Sequence, residues 1–117
     1  MNLYLLLPYP PSVNTYWGFQ GSRRFLTKRA VAYKREVLDA FRAKNHPGFG
    51  AGRVRVVILL SPPDKRRRDI DNGIKSLLDS LTQAKVFDDD SQVDWLWVER
   101  QPIKKGGQCL VYIDEIK

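Results

Sequence analysis

Two carboxylates at i and i+2, Asp69 and Asp71, directly follow four consecutive cations, Lys65, Arg66, Arg67 and Arg68. Hydrolysis of a phosphodiester asks for these residue types together. A divalent metal polarises the phosphate and lowers the pKa of an attacking water. Mg2+ takes a few carboxylates as ligands and fills the rest of its shell with water and phosphate oxygens. Cations hold the nucleic-acid backbone and stabilise the charge that develops at phosphorus. On this reading Asp69 and Asp71 are candidate metal ligands. Lys75 lies four residues after Asp71, one turn along the same face of a helix, where its ammonium could meet a phosphate or orient a water. Asp88, Asp89 and Asp90 supply a third acidic cluster some twenty residues on.

Each feature also has a plain structural meaning. A four-residue basic run is a solvated charge patch. Asp69 or Asp71 is a helix cap, since helix N-termini favour acids. Asp71 and Lys75 form a surface ion pair worth a few tenths of a kcal/mol, and three adjacent acids make an acidic turn. The set gains meaning only jointly. From the residues alone two readings stand: a metal-dependent nuclease, or a non-catalytic nucleic-acid-binding or regulatory module that uses the basic half.

Charge favours a polyanionic partner under either reading. Residues 1–68 carry fourteen Lys/Arg against three Asp/Glu, residues 69–117 six against ten, and the whole chain is +7. The sign changes at Arg68/Asp69, which places a basic half beside a mildly acidic one. One cysteine, Cys109, and one histidine, His46, exclude an ordinary Cys/His zinc site within one chain, and with it nucleases whose base is a histidine in a metal cluster. Any metal must be held by oxygen. A single cysteine also fits a reducing cytoplasm. Cys109 reads as a small core residue and His46, in Asn45-His46-Pro47-Gly48, as surface. Neither a membrane span nor a small-molecule cofactor is expected.

The elements that must position these groups read as one domain over residues 1–117. Residues 2–7 form a first strand, too short to span a bilayer. Pro8, Pro10 and Pro11 stop it, and residues 12–24 read as a loop. Thr27 caps a helix over 28–44 with Ala30, Val31, Val37, Leu38 and Phe41 inward. Residues 53–60 are a strand that Ser61, Pro62 and Pro63 end. The spacing of Ile70, Ile74, Leu77, Leu78 and Leu81 predicts a second helix over 70–84, capped by Asp69 or Asp71. Residues 93–103 form a strand with Val93, Trp95 and Trp97 on one face and Leu96 and Val98 on the other, so it is either central or covered by a second subunit. Trp95 and Trp97 fit core or interface better than base stacking. Lys104, Lys105, Gly106 and Gly107 signal a hairpin into a closing strand over 108–116. The order is β-α-β-α-β-β: a mixed α/β or α+β domain with one mixed sheet and two helices.

Three stretches carry a resemblance. The first is Arg66-Arg67-Arg68-Asp69-Ile70-Asp71-Asn72, continued by Lys75, Asp79, Leu81 and Thr82 to Asp89-Asp90-Ser91-Gln92-Val93. The others are Leu7-Pro8-Tyr9-Pro10-Pro11-Ser12-Val13-Asn14 and Pro102-Ile103-Lys104-Lys105-Gly106-Gly107. In one register they resemble the RusA-type Holliday-junction resolvases of bacteria and prophages. The resemblance implies a Mg2+- or Mn2+-dependent endonuclease that cuts four-way DNA junctions as a homodimer in recombination and repair, and a prophage origin. It implies metal-binding carboxylates at Asp69, Asp71 and Asp90, with Asp89 the neighbour, and a catalytic lysine at Lys75. It implies DNA contacts from Ser12, Val13, Asn14 and Thr15 and from Lys65, Arg66, Arg67, Arg68 and Asn72. Val13 departs from the second position of the family's Ser-Asn-Asn-type loop, which implies a missing or shifted polar contact. A two-fold dimer suits a near-symmetric junction, since two equivalent sites make paired nicks.

Overall fold

The computed structural model describes residues 2–117. In chain order the elements are β1 (Asn2–Leu7), α1 (Val13–Tyr16), β2 (Trp17–Gln20), β3 (Arg23–Leu26), α2 (Lys28–Ala43), β4 (Val54–Ser61), α3 (Ile74–Gln83), a 3-10 turn (Asp90–Gln92), β5 (Val93–Arg100) and β6 (Gln108–Glu115). Period-two alternation makes the sheet. β1 buries Leu3, Leu5 and Leu7, β4 buries Val54, Val56, Ile58 and Leu60, and β6 buries Cys109, Val111 and Ile113. These side chains share the sheet face that the helices cover. Helix α2 adds Ala30, Tyr33, Val37 and Phe41, and α3 adds Ile74, Leu77 and Leu81. Together they form one cluster, each fully buried large aliphatic group contributing about 1.5–3 kcal/mol. The other sheet face carries Tyr4 against Tyr112 and the Arg55–Asp114 ion pair. The result is a two-layer α+β domain, as the sequence predicts.

The sheet order is β1-β6-β4-β5, with β4 and β5 parallel and the other pairs antiparallel. A parallel pair needs a crossover. The basic loop, α3 and the acidic loop are that crossover, so the candidate chemistry lies on the connection the topology requires.

Several expectations are corrected. Among the described residues there are three α-helices, and residues 12–24 hold α1 and most of a two-stranded hairpin, β2–β3, rather than a loop. Its Gly21-Ser22 turn has Gly21 at φ 64, the short loop that joins twisted strands well. In α2 the inward residue is Tyr33, whereas Val31 is 54% exposed. The second helix starts at Ile74, not residue 70; Ile70 is exposed and the N-cap is Gly73, so neither Asp69 nor Asp71 caps it. A Cβ at Gly73 would stand 2.9 Å from Pro10 Cγ, which ties this junction to the N-terminal loop. Strand β5 ends at Arg100 and is an edge strand, not a central one; Trp95, Leu96 and Trp97 are exposed. The Lys104–Gly107 turn closes with a 2.7 Å hydrogen bond, but β4 separates β5 from β6, so it joins no hairpin. His46 is half-buried between Phe41 and Phe49, and its Nδ1 accepts a hydrogen bond from Gly48 N.

Cys109 is a core residue as expected, and burial pushes its thiol up to about 12. It is therefore protonated at neutral pH and inert to iodoacetamide in the native protein. Mass spectrometry should find it unlabelled until denaturant is added; rapid native labelling would contradict this packing.

Candidate nucleic-acid interface and acidic site

The basic loop is ordered by its own aspartate. Asp64 Oδ1 accepts from Arg66 N at 3.0 Å and pairs with Arg68 Nη2 at 2.9 Å. The backbone hydrogen bond from Arg66, followed by Arg68, holds the Asp64 carboxyl below its usual range. Arg68 also reaches over the Tyr9 ring, and Arg100 donates to Arg68 O at 2.6 Å. Arg68 is therefore half-buried and structural in part. Lys65 and Arg67 are exposed and, among the described residues, pair with no carboxylate. They are the cations most available to a phosphate.

The N-terminal loop docks against this segment. Val13 N donates to Asn72 O at 2.8 Å, and Ser76 Oγ of α3 donates to Pro11 O at 2.7 Å. The two sequence-predicted DNA-contacting segments thus line one groove of about 560 Å³ that includes Ser12, Thr15, Arg66, Arg67, Arg68 and Asn72. Val13 and Asn14 lie on α1 with exposed side chains. A second hollow of about 630 Å³ lies on the other side of the loop, between residues 64–69 and 100–103. Sequence reasoning missed Arg29, Tyr9 and Gly106 in the first groove.

The acidic loop folds back along α3. Lys75 Nζ donates to Asp90 Oδ2 at 2.9 Å, joining two of the predicted catalytic residues. That bond, aided by the Asp90, Asp79 and Asp89 charges, raises the Lys75 ammonium above its usual value. Lys75 is thus a cation through the whole neutral range. The sign follows: the pair's contribution is present below the ordinary lysine value and is lost as pH rises through the elevated one. Asp89 is occupied differently. Its side chain accepts from Ser91 N while Gln92 Oε1 accepts from Asp89 N, a reciprocal capping box. Gln92 is buried and its Nε2 donates to Gly50 O and Gly52 O at 2.7 and 2.8 Å. This anchor leaves Asp90, not Asp89, facing Lys75. Asp79, one turn on from Lys75, accepts from the buried Tyr16 hydroxyl at 2.9 Å and pairs with Lys34. Burial raises the Tyr16 phenol far beyond neutral pH, so it acts as scaffold and not as an acid or base.

Asp69 and Asp71 are exposed in the turn before α3. Their backbone carbonyls accept from Asn72 N and Ile74 N, which leaves the carboxylates outward. Asp71 does not pair with Lys75, because Asp71 precedes the helix. Asp69 and Asp71 precede α3 in the chain and Asp90 follows it, but the returning loop sets Asp90 on Lys75 in the first turn of α3, the end that Asp69 and Asp71 lead into. Among the described residues no group of three Asp, Glu, His or Cys side chains stands close enough to hold a metal ion. Asp69, Asp71 and Asp90 therefore fit a hard cation in donor chemistry but not in their present spacing.

Comparison with known proteins agrees with these segments. The family described as Endodeoxyribonuclease RusA matches residues 8–113. A crossover junction endodeoxyribonuclease rusA of Enterobacteria phage HK97 is 39% identical over 118 residues, spanning 100% of this chain and 98% of the relative. Proteins of the same name from Enterobacteria phage 82 and Escherichia coli (strain K12) are 35% identical over 117 residues, spanning 99% of this chain and 98% of each relative. No helix is long and apolar enough to cross a membrane among the described residues. With a family match over nearly its whole length and relatives that align end to end, the chain belongs to the RusA endodeoxyribonuclease family.

Proposed function

We propose that this chain resolves four-way DNA junctions by hydrolysing phosphodiesters with Mg2+, or Mn2+ in its place, and that a homodimer makes the paired nicks. The observation that carries the reading is the end-to-end likeness to crossover junction endodeoxyribonucleases. Geometry supports it. The groove between residues 12–15 and 66–72 offers cations and polar groups to a DNA backbone. A metal held by Asp69, Asp71 and Asp90 would supply an activated water and a Lewis acid at the phosphate. Lys75, held beside Asp90, stabilises the anionic transition state or positions the attacking water. Lys65, Arg66 and Arg67 hold the backbone, and Arg68 joins them while shaping the loop with Asp64. The exposed Trp95–Leu96–Trp97 run on the edge strand, its indoles stacked at 5.9 Å, supports a two-fold partner.

A synthetic junction incubated with and without EDTA tests the chemistry, and sedimentation tests the assembly. The expected result is ligatable, metal-dependent nicks from a particle of twice the chain mass. Tight junction binding with no metal-dependent product would instead identify a non-catalytic binding module.

A further inference from the structure

The β2–β3 hairpin stands outside the main sheet and has no part in the roles above. It places aromatic rings among cations. Phe19 is 71% exposed, the most of any large apolar side chain among the described residues, and Phe25 is 44% exposed. The register sets Phe19 opposite Arg24 and Trp17 opposite Leu26, so Trp17, Phe19 and Arg24 share one face. There the Arg24 guanidinium lies 4.0 Å from the Trp17 ring centroid, a cation–π contact that lays an exposed guanidinium over the half-buried indole. On the other face the Phe25 ring lies over Gly18, where a Cβ would stand 2.5 Å from it.

The root of the hairpin is fixed while its tip is open. Thr27 N donates to Tyr16 O at 3.1 Å and Thr27 Oγ1 to Thr15 O at 2.6 Å. Tyr16 is buried and bonded to Asp79 of α3. The segment that carries the hairpin is cationic: residues 1–35 contain six Lys/Arg and no Asp or Glu. Thr15 and Arg29, which flank the hairpin in sequence, line the groove with residues 66–68. A ligand suited to this surface is anionic and carries flat rings with open faces. Paired duplex offers the charge but keeps its base faces stacked. A branch point offers both.

We propose that the β2–β3 hairpin binds unstacked bases of branched DNA, with Phe19 and the Trp17–Arg24 pair as its stacking surface. The proposal rests on the junction-endonuclease reading and adds a source of its shape selectivity. Base–aromatic stacking is sequence-tolerant and depends on an open ring face.

The test uses the full chain, without metal, and three probes of one sequence: a four-way junction, a bulged duplex and a linear duplex. Phe19 is exposed, so Phe19→Ala leaves the fold intact. It should weaken junction and bulge binding by about tenfold and linear-duplex binding by less than about twofold, since phosphate contacts are kept. Phe19→Trp should restore the loss. A 2-aminopurine at the branch point should be quenched by the wild type and less so by Phe19→Ala. Equal binding of the junction by the wild type and Phe19→Ala, with unchanged quenching, overturns the hairpin's role. Wild-type protein that cuts junctions while Phe19→Ala behaves identically removes only this proposal. Wild-type protein that neither prefers nor cuts junctions removes the function itself.

Discussion

Asp71→Asn should lower junction cutting by at least about a hundredfold while junction affinity stays within about twofold of wild type. The structure makes this substitution clean. The Asp71 side chain is exposed, and its role in the turn is played by its backbone carbonyl, which accepts from Ile74 N. Gly73, not Asp71, caps α3, so an amide at position 71 removes charge without removing a cap. Surface changes of this kind shift stability by about 0.5 kcal/mol or less. A hard divalent cation loses much more when one of few carboxylates becomes neutral. Binding is spared because Ser12, Thr15 and Arg66 to Arg68 line the groove without the Asp71 side chain. Quenched-flow cleavage and a gel-shift titration at one fixed salt separate the two properties. Near wild-type cutting by Asp71→Asn would remove Asp71 from the metal site. Lys75→Ala gives a useful contrast. It also deletes the partner of Asp90, so its defect should not be restored by excess Mg2+, whereas a weakened ligand set should be partly restored.

Much of the architecture is legible in the residues, and the misses have physical causes. Thr27 was readable as a cap because its hydroxyl lies three residues before Ala30 N, the bond it makes. The strands at β1, β4 and β6 were readable as short apolar stretches bounded by proline or glycine. Ile70 was misread because its four-residue spacing to Ile74 imitates a helix, while the close approach of Pro10 to Gly73 is a tertiary fact with no local trace. The hairpin did carry a signal, a Gly21-Ser22 turn between Trp17/Phe19 alternation and a second short run. Charge and glycine disguised it as a loop. Strand β5 was apolar on both faces, but only topology could decide that it lies at an edge. The site was legible in part. The docking of residues 12–15 on residue 72, and of Lys75 on Asp90, brings together segments singled out separately. The return of Asp90 to the first turn of α3 comes from the path of the loop after the helix, which sequence did not show.

That loop path depends on Gln92, and Gln92→Ala should both destabilise the protein and impair cutting. Gln92 is 6% exposed and makes three hydrogen bonds to backbone: from Asp89 N, to Gly50 O and to Gly52 O. Alanine strips the partner from one N–H and two carbonyls and leaves a void beside them. Leaving a buried polar group unsatisfied costs about 1–3 kcal/mol, so the melting temperature should fall by about 5 °C or more. The same truncation opens the capping box that holds Asp89 and frees the 3-10 turn that carries Asp90. Lys75 then loses its fixed partner, and cutting should fall more steeply than stability explains, at a temperature where the variant remains folded. Junction binding should survive, because the groove residues make no contact with Gln92 among the described hydrogen bonds. Gln92→Glu is the sharper variant. Its carboxylate still accepts from Asp89 N but offers no N–H to the two carbonyls and adds charge beside Asp90. It should match or exceed the alanine defect despite its near-identical shape. A Gln92→Glu protein that melts and cuts like wild type would show that packing, not the donated hydrogen bonds, holds Asp90 in place.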